Sequence, residues 1–293
     1  MKSAIQTEGF RARGEWIDLR TAPRLMGVLN ATPDSFSDGG RYRTLTQRIE
    51  RGLQLVSDGA DMIDVGGESA VTNRPAVGVD EEIARVVPLI EGLLARVQSV
   101  ISVDTYKPAV AGAAIAAGAS IVNDTSGLRD AALADTCAAS GAALVVMHTR
   151  AAPKRRLQDP GLYGNVVEDV VAFLRERTEL AQRRGVPKER LIVDPGPDFS
   201  KTPAQTVEAL RHVATIARLG YPVLLAISRK DFLGALLGRP PRARLAGTLA
   251  ALDHGLSSGA RIFRVHDVAQ ARAFISARPA LERGGRSSAS RWP

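Results

Sequence analysis

The sequence predicts an α/β protein built as a single (β/α)8 TIM barrel. Eight short apolar runs recur along the 293 residues at roughly even spacing, and each ends in a polar or charged side chain. Stretches with helical periodicity separate these runs. A strand buried on both faces is a short, near-continuous apolar run, and eight such strands alternating with helices are typical of this barrel. Because the chemistry of such barrels lies where the strands end, the polar tips also predict the position of the site.

The predicted strands are read from the apolar runs in chain order. They are LMGVLN, DMIDVGGES, VISVD, ASIVND, AALVVMH, LIVD, PVLLAISRK and ARIFRVHD. Each run is short and largely apolar before its polar end, as expected of strands covered on both faces. The eight runs therefore predict the strand order of the whole barrel.

Helical periodicity fills the intervals between these strands. The helices are predicted over residues 44–58, 81–97, 107–117, 130–140, 165–184 and 203–219, in a segment after Lys230, and over residues 244–257. Residues 81–97 show the pattern well, because Val86 and Ile90 recur on one face. Thr44 and Thr46 are candidate N-caps of the first helix. A glycine follows the end of four of these helices, which is typical of helix C-termini.

The chain is expected to form one barrel with a short segment at each end. Residues 25–281 form the barrel, and residues 1–24 cover its closed end with Trp16 and Ile17. The Gly/Ser/Arg-rich tail 282–293 is predicted to be disordered. Two smaller domains are the alternative, but no linker divides the chain, and a hydrophobic content of 45% suits one large core.

The charge balance limits the classes of partner that the chain is expected to bind. A net charge of +8 indicates either a solvated, Arg-rich surface or attraction to anionic substrates such as phosphates. Nucleic-acid binding is disfavoured, because aromatic residues make up 4% of the chain and no dense basic stripe carries them. The partners expected are small molecules, with no nucleic acid and no membrane.

The single cysteine and the N-terminal sequence indicate the compartment. Cys137 has no intrachain partner for a disulfide or a multi-cysteine metal site, and its Ala-rich surroundings predict a small buried residue. The N-terminal sequence does not resemble a signal peptide, and no apolar run approaches the length that spans a membrane. A cytoplasmic protein is therefore expected.

Two loops at strand ends carry turn formers and glycine. The loop NATPDSFSDGG, residues 30–40, is long for its type and is predicted to be a mobile lid, with a plain surface loop as the alternative. The loop GGESAVTNRPAVG, residues 66–78, holds Arg74 and begins with a glycine pair that lets backbone approach a ligand.

Asp104, Asn123 and Asp194 end the third, fourth and sixth predicted strands, so all three are expected at the barrel mouth. A carboxylate that faces two adjacent N–H donors is the natural partner of an amino-pyrimidinone edge, as in guanine or pterin, and an Asn offers both donor and acceptor beside it. The alternative for each residue is a helix N-cap.

Cationic residues follow the last two predicted strands. Ser228, Arg229 and Lys230 end the seventh strand, and Arg264 and His266 end the eighth. These loops are the usual phosphate site of this barrel, so a polyanion such as pyrophosphate is expected. A structural ion pair is the alternative for Arg229.

Magnesium is the metal that the residues favour. Mg²⁺ that bridges a pyrophosphate needs only oxygen ligands and water, and Asn30 supplies one such oxygen. A zinc site is disfavoured, because His148 and His266 are the only histidines at predicted strand ends and no Cys or Glu cluster accompanies them. The motifs GxSxG, GxGxxG and Walker A are absent.

Together the motifs resemble the dihydropteroate synthase family. They are MGVLNATPDSFSDGG, ADMIDVGGES, ISVDTYKP, IVNDTSG, VVMH, IVDPG, FSKTP, SRK and RVHDV, in the order found in that family and over roughly residues 25–270. The combination is far more specific than any single motif.

The resemblance implies roles for individual residues. The residues implied to hold the pterin ring are Asp104, Asn123, Met147, Asp194, Phe199, Lys230 and Arg264. Those implied at the pyrophosphate are Asn30, which also carries Mg²⁺, and Arg74, Arg264 and His266. The implied catalytic residues are Asp34, Phe36 and Asp38 of the first loop and Lys230. Ser228 and Asp231 are implied to border the aminobenzoate.

The resemblance also implies a reaction. The family joins 6-hydroxymethyl-7,8-dihydropterin diphosphate to p-aminobenzoate and releases dihydropteroate and pyrophosphate. Pyrophosphate leaves first, stabilised by Mg²⁺ and cationic groups, and the arylamine attacks the resulting pterin-methyl cation. A homodimer packed through barrel helices is expected by analogy alone.

The chain departs from the family pattern mainly around the second substrate. The second loop reads GGESAVTNRP instead of GGESTRPG, so Arg74 lies three positions later. Asp231 replaces the usual Ser after SRK, and a carboxylate there is expected to repel that of p-aminobenzoate. Other departures are Ala226, the segment HTRAAPK, and Pro197, Asp198 and Ser200. These changes leave open a different acceptor, a methyltransferase-type relative, or a pterin-binding protein without turnover.

Overall fold

The computed structural model describes residues 7–32, 44–69 and 75–282. Ten strands lie in these ranges: β1 (Gly9–Ala12), β2 (Glu15–Asp18), β3 (Arg24–Asn30), β4 (Met62–Gly66), β5 (Val100–Asp104), β6 (Ile121–Asp124), β7 (Ala143–Met147), β8 (Leu191–Asp194), β9 (Leu224–Ala226) and β10 (Ile262–Val265). The helices of the same ranges are α1 (Leu45–Ser57), α2 (Val79–Leu94), α3 (Pro108–Ala116), α4 (Ala132–Ser140), α5 (Val166–Arg183), α6 (Pro203–Arg211), α7 (Val213–Ala217), α8 (Asp231–Leu237), α9 (Leu245–Ser257) and α10 (Val268–Glu282).

Strands β3 to β10 form the barrel. They pair in parallel in the order β8-β7-β6-β5-β4-β3-β10-β9, and a bridge between Val193 and Val223 joins the two outer strands. Each of the eight predicted strands is present, and the TIM barrel prediction is confirmed. Because the strands are parallel, their carboxyl ends meet at one mouth, where Gly66 pairs with Asp104 and Asp104 with Asn123.

The predicted helices lie close to their predicted ranges with one break, and α10 is a further helix that was not predicted. Thr44 caps α1 by accepting from the Gln47 backbone N–H, whereas Thr46 lies inside the helix. The predicted helix 203–219 is two helices, α6 and α7, because His212 leaves the helical conformation and its ring bonds the Glu208 carbonyl. Within the described residues, no helix is both long and apolar enough to cross a bilayer.

The lower barrel interior is filled from the N-terminal hairpin. Strands β1 and β2 pair antiparallel, and Phe10 and Leu19 pack fully buried against inward residues such as Met26 and Ile192. Ile17 packs against the same group, but Trp16 is 44% exposed and lies outside it. The other end of the chain differs from expectation at one residue, since α10 includes Glu282, and the rest of the predicted tail lies outside the described residues.

Removing the Phe10 ring is expected to destabilise the barrel. Phe10→Ala leaves a cavity in a closed apolar layer, which costs about 3–5 kcal/mol in the free energy of unfolding. Urea unfolding followed by circular dichroism measures the loss. The matched control is Trp16→Ala on the neighbouring strand, expected below about 1 kcal/mol. Equal losses from the two variants would contradict this role of the hairpin.

Candidate active site

A hydrogen-bonded network of charged and amide groups lies at the barrel mouth. Arg264 from β10 donates from Nε to Asp64 Oδ2 at 2.6 Å and from Nη2 to Asp104 Oδ2 at 2.9 Å. Asn123 Nδ2 donates to the same Asp64 oxygen at 3.0 Å. Four strands, β4, β5, β6 and β10, therefore contribute to one hydrogen-bonded cluster. The inward pointing of Asp104 and Asn123 agrees with their predicted position.

Burial moves the pKa values of the mouth carboxyls towards neutrality. Desolvation raises the pKa of Asp104 to about 7, with the Asp64 charge adding to the rise and Arg264 opposing it. Desolvation also raises the pKa of Asp194 to about 6, against the Gly196 N–H that donates to it at 2.7 Å. Burial tends to lower the pKa of Arg264, but the two carboxylates outweigh it and raise the pKa.

Lys230 and Phe199 lie together at the same mouth. The Lys230 ammonium lies 4.5 Å from the centroid of the Phe199 ring, which is a cation–π contact. Burial lowers the pKa of Lys230, while Asp198 and Asp194 act in the opposite direction. Met147 is buried at the end of β7, paired in register with Asp194.

The loops after β9 and β10 meet through Ser228 and His266. The Ser228 hydroxyl lies 3.0 Å from His266 Nδ1 and accepts from the His266 backbone N–H at 3.2 Å. Burial, followed by the charges of Arg264, Arg229 and Lys230, lowers the pKa of His266 to about 3. His266 is therefore neutral near pH 7 and offers a hydrogen bond in place of a charge.

Arg229 has a structural ion pair. Its Nε and Nη2 lie 3.1 and 2.5 Å from the Asp267 carboxylate oxygens, and its backbone takes the left-handed φ of 60°. Of the two interpretations of this residue, the ion pair is the one observed.

Two carboxylates, those of Asp198 and Asp231, lie at the N-terminus of α8, the helix that follows Lys230. Asp198 accepts from the Asp231 backbone N–H at 2.6 Å and from the Phe232 N–H at 3.2 Å. The Asp231 side chain is 73% exposed and lies 3.3 Å from the Arg244 guanidinium. The repulsive charge expected at Asp231 is thus partly offset by an ion pair and screened by solvent.

Some predicted residues lie outside the described part of the chain. These are Asp34, Phe36, Asp38 and Arg74. Their roles stay predictions. Asn30, by contrast, lies half-buried at the end of β3, beside Gly66 of the neighbouring strand.

Two features of the site had no role assigned from sequence. Asp64 is fully buried inside an apolar strand, and its Oδ1 lacks a hydrogen-bond partner among the described residues, so a ligand or water can donate to it. The sequence did carry a signal for Asp64, since it is an acidic residue within an otherwise apolar run. The second is the contact of Lys201 with His148, whose ring points away from the mouth towards Phe173. Sequence spacing carries no signal for that contact.

The oxygen donors at the mouth suit Mg²⁺ bound together with a substrate phosphate. Among the residues that the structure describes, no three His, Cys, Asp or Glu side chains form a metal cluster. Mg²⁺ does not require one, since it keeps several waters and binds substrate phosphates with one or two protein oxygens. The Asn30 amide, at the end of a strand beside the cationic loops, fits that requirement.

The raised pKa of Asp194 predicts a stability that falls as pH rises. Between about pH 4 and 6 the folded chain keeps a proton that the unfolded chain has lost, so ionisation at higher pH costs roughly 3 kcal/mol. Asp194→Asn is therefore expected to be more stable than the wild type at pH 8 and similar to it at pH 4 in urea unfolding. The exposed Asp80→Asn is the control, with a pH profile parallel to the wild type. A constant difference between Asp194→Asn and wild type would contradict this expectation.

Comparison with known proteins identifies the family to which this chain belongs. The family model described as pterin binding enzyme matches residues 26–266. The dihydropteroate synthase of Bacillus subtilis (strain 168) is 40% identical over 266 residues, which cover 90% of this chain and 90% of that protein. A structure of Xanthomonas albilineans dihydropteroate synthase with 4-aminobenzoic acid matches with a TM-score of 0.87 at 40% identity, covering 95% of this chain and 100% of that one. A structure of the same enzyme in complex with 7,8-dihydropteroate matches with a TM-score of 0.84 at 40% identity, covering 94% and 100%. The chain is therefore an enzyme of the dihydropteroate synthase family, which acts in folate biosynthesis.

Proposed function

We propose that the barrel mouth joins 6-hydroxymethyl-7,8-dihydropterin diphosphate to p-aminobenzoate and releases 7,8-dihydropteroate and pyrophosphate. The observation that carries the proposal is a hydrogen-bonded cluster beside Asp194, in which Asp64 and Asn123 are buried and Asp104 and Arg264 are largely buried. The X. albilineans enzyme was solved with 4-aminobenzoic acid and in complex with 7,8-dihydropteroate, which are the acceptor and the product proposed here.

The pterin ring is assigned to the carboxylate side of the mouth. Asp104 and Asp194 accept from the ring's N–H groups, and Asn123 pairs with its edge. Support comes from the burial of Asn123 and Asp194 and the near-burial of Asp104, since a buried carboxylate needs donors that the protein supplies only in part. Met147, Phe199 and Lys230 are proposed to cover the ring faces.

The diphosphate is assigned to the cationic side. Arg264 and Lys230 supply charge, His266 supplies a neutral hydrogen bond, and Arg74 is proposed to approach from the second loop. Asn30 would hold a Mg²⁺ through its amide oxygen, and that ion would neutralise charge on the departing pyrophosphate.

The chemical step needs no protein nucleophile. The C–O bond to the diphosphate breaks first, and Arg264 and Lys230 stabilise the charge on the leaving group. Asp104 and Asp194 stabilise the pterin-methyl cation by their negative charge. The arylamine nitrogen forms the new C–N bond and then loses a proton. Asp34, Phe36 and Asp38 are proposed to close over the reacting carbon and exclude water.

The dimer is proposed by analogy with the family. Leu236 and Leu237 of α8 are 63% and 43% exposed, so that helix presents apolar surface suited to a second copy. Sedimentation velocity of the purified chain tests the proposal, and a monomer at micromolar concentration would contradict it.

The function is tested by coupled release of pyrophosphate. Purified protein, Mg²⁺ and pterin diphosphate are expected to release pyrophosphate only when p-aminobenzoate is added, with one dihydropteroate formed for each pyrophosphate. Pterin binding without p-aminobenzoate-dependent turnover would refute the assigned reaction.

Removing the Asp104 carboxylate is expected to weaken pterin binding. Asp104→Ala deletes a ring acceptor and leaves the Arg264 guanidinium with one carboxylate fewer. Loss of a charged hydrogen bond of this kind costs about 1.5–3 kcal/mol, a weakening of roughly tenfold or more. Fluorescence titration with pterin diphosphate measures it, and Asp80→Asn serves as the control. A dissociation constant equal to that of the wild type would remove the pterin assignment.

Replacing Asp231 by Ser is expected to lower the Michaelis constant for p-aminobenzoate. The variant removes a negative charge near the proposed acceptor position. Because Asp231 is 73% exposed and paired with Arg244, the gain is limited to about two- to fivefold. Steady-state kinetics at low and high salt measure it, and the gain should shrink at high salt. An unchanged or raised Michaelis constant would count against the charge argument.

A further inference from the structure

We propose that Lys201 is a positioning residue for the pterin ring, acting through the segment 196–199 without touching the substrate. The inference rests on the proposed function, because it concerns the same pterin pocket. Lys201 lies outside the mouth cluster, and the chemistry described above makes no use of it.

The Lys201 ammonium is fully buried and has three partners. Its Nζ lies 2.7 Å from His148 Nδ1, 3.0 Å from the Gly196 carbonyl oxygen and 3.1 Å from the Phe199 carbonyl oxygen. A protonated amine has three hydrogens to donate, so each partner receives one. When Lys201 is protonated, His148 Nδ1 is the acceptor of this contact.

The histidine is itself held from the far side. With Nδ1 accepting, the proton of neutral His148 is on Nε2, which lies 2.8 Å from Asp169 Oδ1. Asp169 also accepts from Arg150 Nε at 3.0 Å. Burial and the Lys201 charge lower the pKa of His148 to about 4, which agrees with a neutral ring. The chain of contacts thus connects α5, the end of β7 and the loop after β8.

The loop that Lys201 holds has an unfavourable backbone. Gly196, Asp198 and Ser200 have φ values of 64°, 65° and 53°, in the left-handed region that only glycine adopts without cost. Such a backbone persists only where its surroundings hold it, and Lys201 binds two carbonyls of the turn. The Ser200 hydroxyl adds to this by accepting from the backbone N–H of Arg150 and Ala151 at 3.1 and 2.8 Å.

Two proposed pterin contacts depend on the shape of that loop. The Gly196 N–H donates to Asp194 at 2.7 Å, and the Phe199 ring lies over Lys230 at 4.5 Å. The carbonyls of Gly196 and Phe199 are the same groups that Lys201 binds. A shift of the loop therefore displaces both Asp194, an acceptor for the pterin ring, and Phe199, which covers a face of that ring.

A lysine in this position is costly for folding, which argues for a role in the site. Burial lowers the pKa of Lys201 to about 7, and the charge of Lys230 acts in the same direction. The carboxylates that oppose this shift are Asp194, Asp169 and Asp198. A group whose pKa is lower in the folded chain than in the unfolded chain destabilises the fold below that range of pH. Buried ionic groups are often replaceable by apolar ones without loss of stability.

The test separates binding of the two substrates. Lys201→Met is expected to raise the dissociation constant of pterin diphosphate, measured without p-aminobenzoate, by roughly tenfold or more. The Michaelis constant for the pterin substrate should rise with it, and that for p-aminobenzoate should stay within about twofold of the wild type, since the loop carries pterin contacts. The matched control is Lys188→Met, an exposed lysine at the opposite end of β8, expected to change neither constant.

Two further variants exclude a general loss of structure. His148→Phe removes one partner of Lys201 and should raise the pterin dissociation constant by a smaller factor. Because the two residues act through one contact, the double variant should bind pterin no worse than Lys201→Met alone. If Lys201→Met does not fold, His148→Phe alone decides the question.

Three results would overturn the proposal. They are unchanged pterin affinity in folded Lys201→Met or in His148→Phe, equal increases in both Michaelis constants, and additive effects in the double variant. Failure of the proposed function is distinguishable, because it would appear as absent turnover in the wild type, whereas pterin affinity is measured without turnover.

Discussion

Arg264 is a largely buried cation that lies between the buried Asp64 carboxylate and the largely buried Asp104 carboxylate, and the polar mouth of the barrel depends on that arrangement. Without the guanidinium, two like charges would face each other where water is largely excluded, which is strongly unfavourable. The same contact orients Asn123, because the amide shares an oxygen of Asp64 with Arg264. It also sets the pKa of Asp104 near neutrality, between the opposing effects of burial and of Arg264. The electrostatics of the proposed pterin pocket therefore follow from one residue at the end of β10.

Asp194, the other carboxylate of the proposed pocket, is held by a backbone turn and not by an arginine. Asp194 is supported by the backbone N–H of Gly196, and the turn that provides it contains left-handed residues. The ammonium of Lys201 and the hydroxyl of Ser200 hold this turn against the end of β7. Raised pKa values for buried acids and a lowered pKa for a buried lysine all indicate groups that are retained at a cost to stability. Such groups are expected where binding or catalysis needs them.

The departures from the family pattern are accommodated locally. Asp198 takes a left-handed backbone and accepts the first N–H groups of α8. Asp231, the first residue of that helix, points to solvent and pairs with Arg244, which also donates to the Arg229 and Lys230 carbonyls. Lys154, in the altered segment after β7, donates to the Ser69 carbonyl at 2.6 Å. The altered segment after β7 thus reaches Ser69, and the altered residues Asp198 and Asp231 lie at the start of α8, while the cluster around Arg264 keeps the residues that the family motifs contain.

The barrel and the location of its site follow from the sequence by itself. Eight apolar runs with polar ends, separated by helical periodicity, specify parallel strands whose ends must meet, because burial on both faces and the strand period are local properties. That reasoning also placed Asp104, Asn123, Asp194 and Arg264 at the mouth. The tertiary structure alone decided which of these groups touch. The hydrogen bond of Arg264 to Asp64 joins residues 200 positions apart, and the contact of Lys201 with His148 links two loops. The neutrality of His266 comes from its burial and, after that, from the surrounding cations. Burial and charge–charge distances are properties of the packed barrel, and no local pattern in the chain records them.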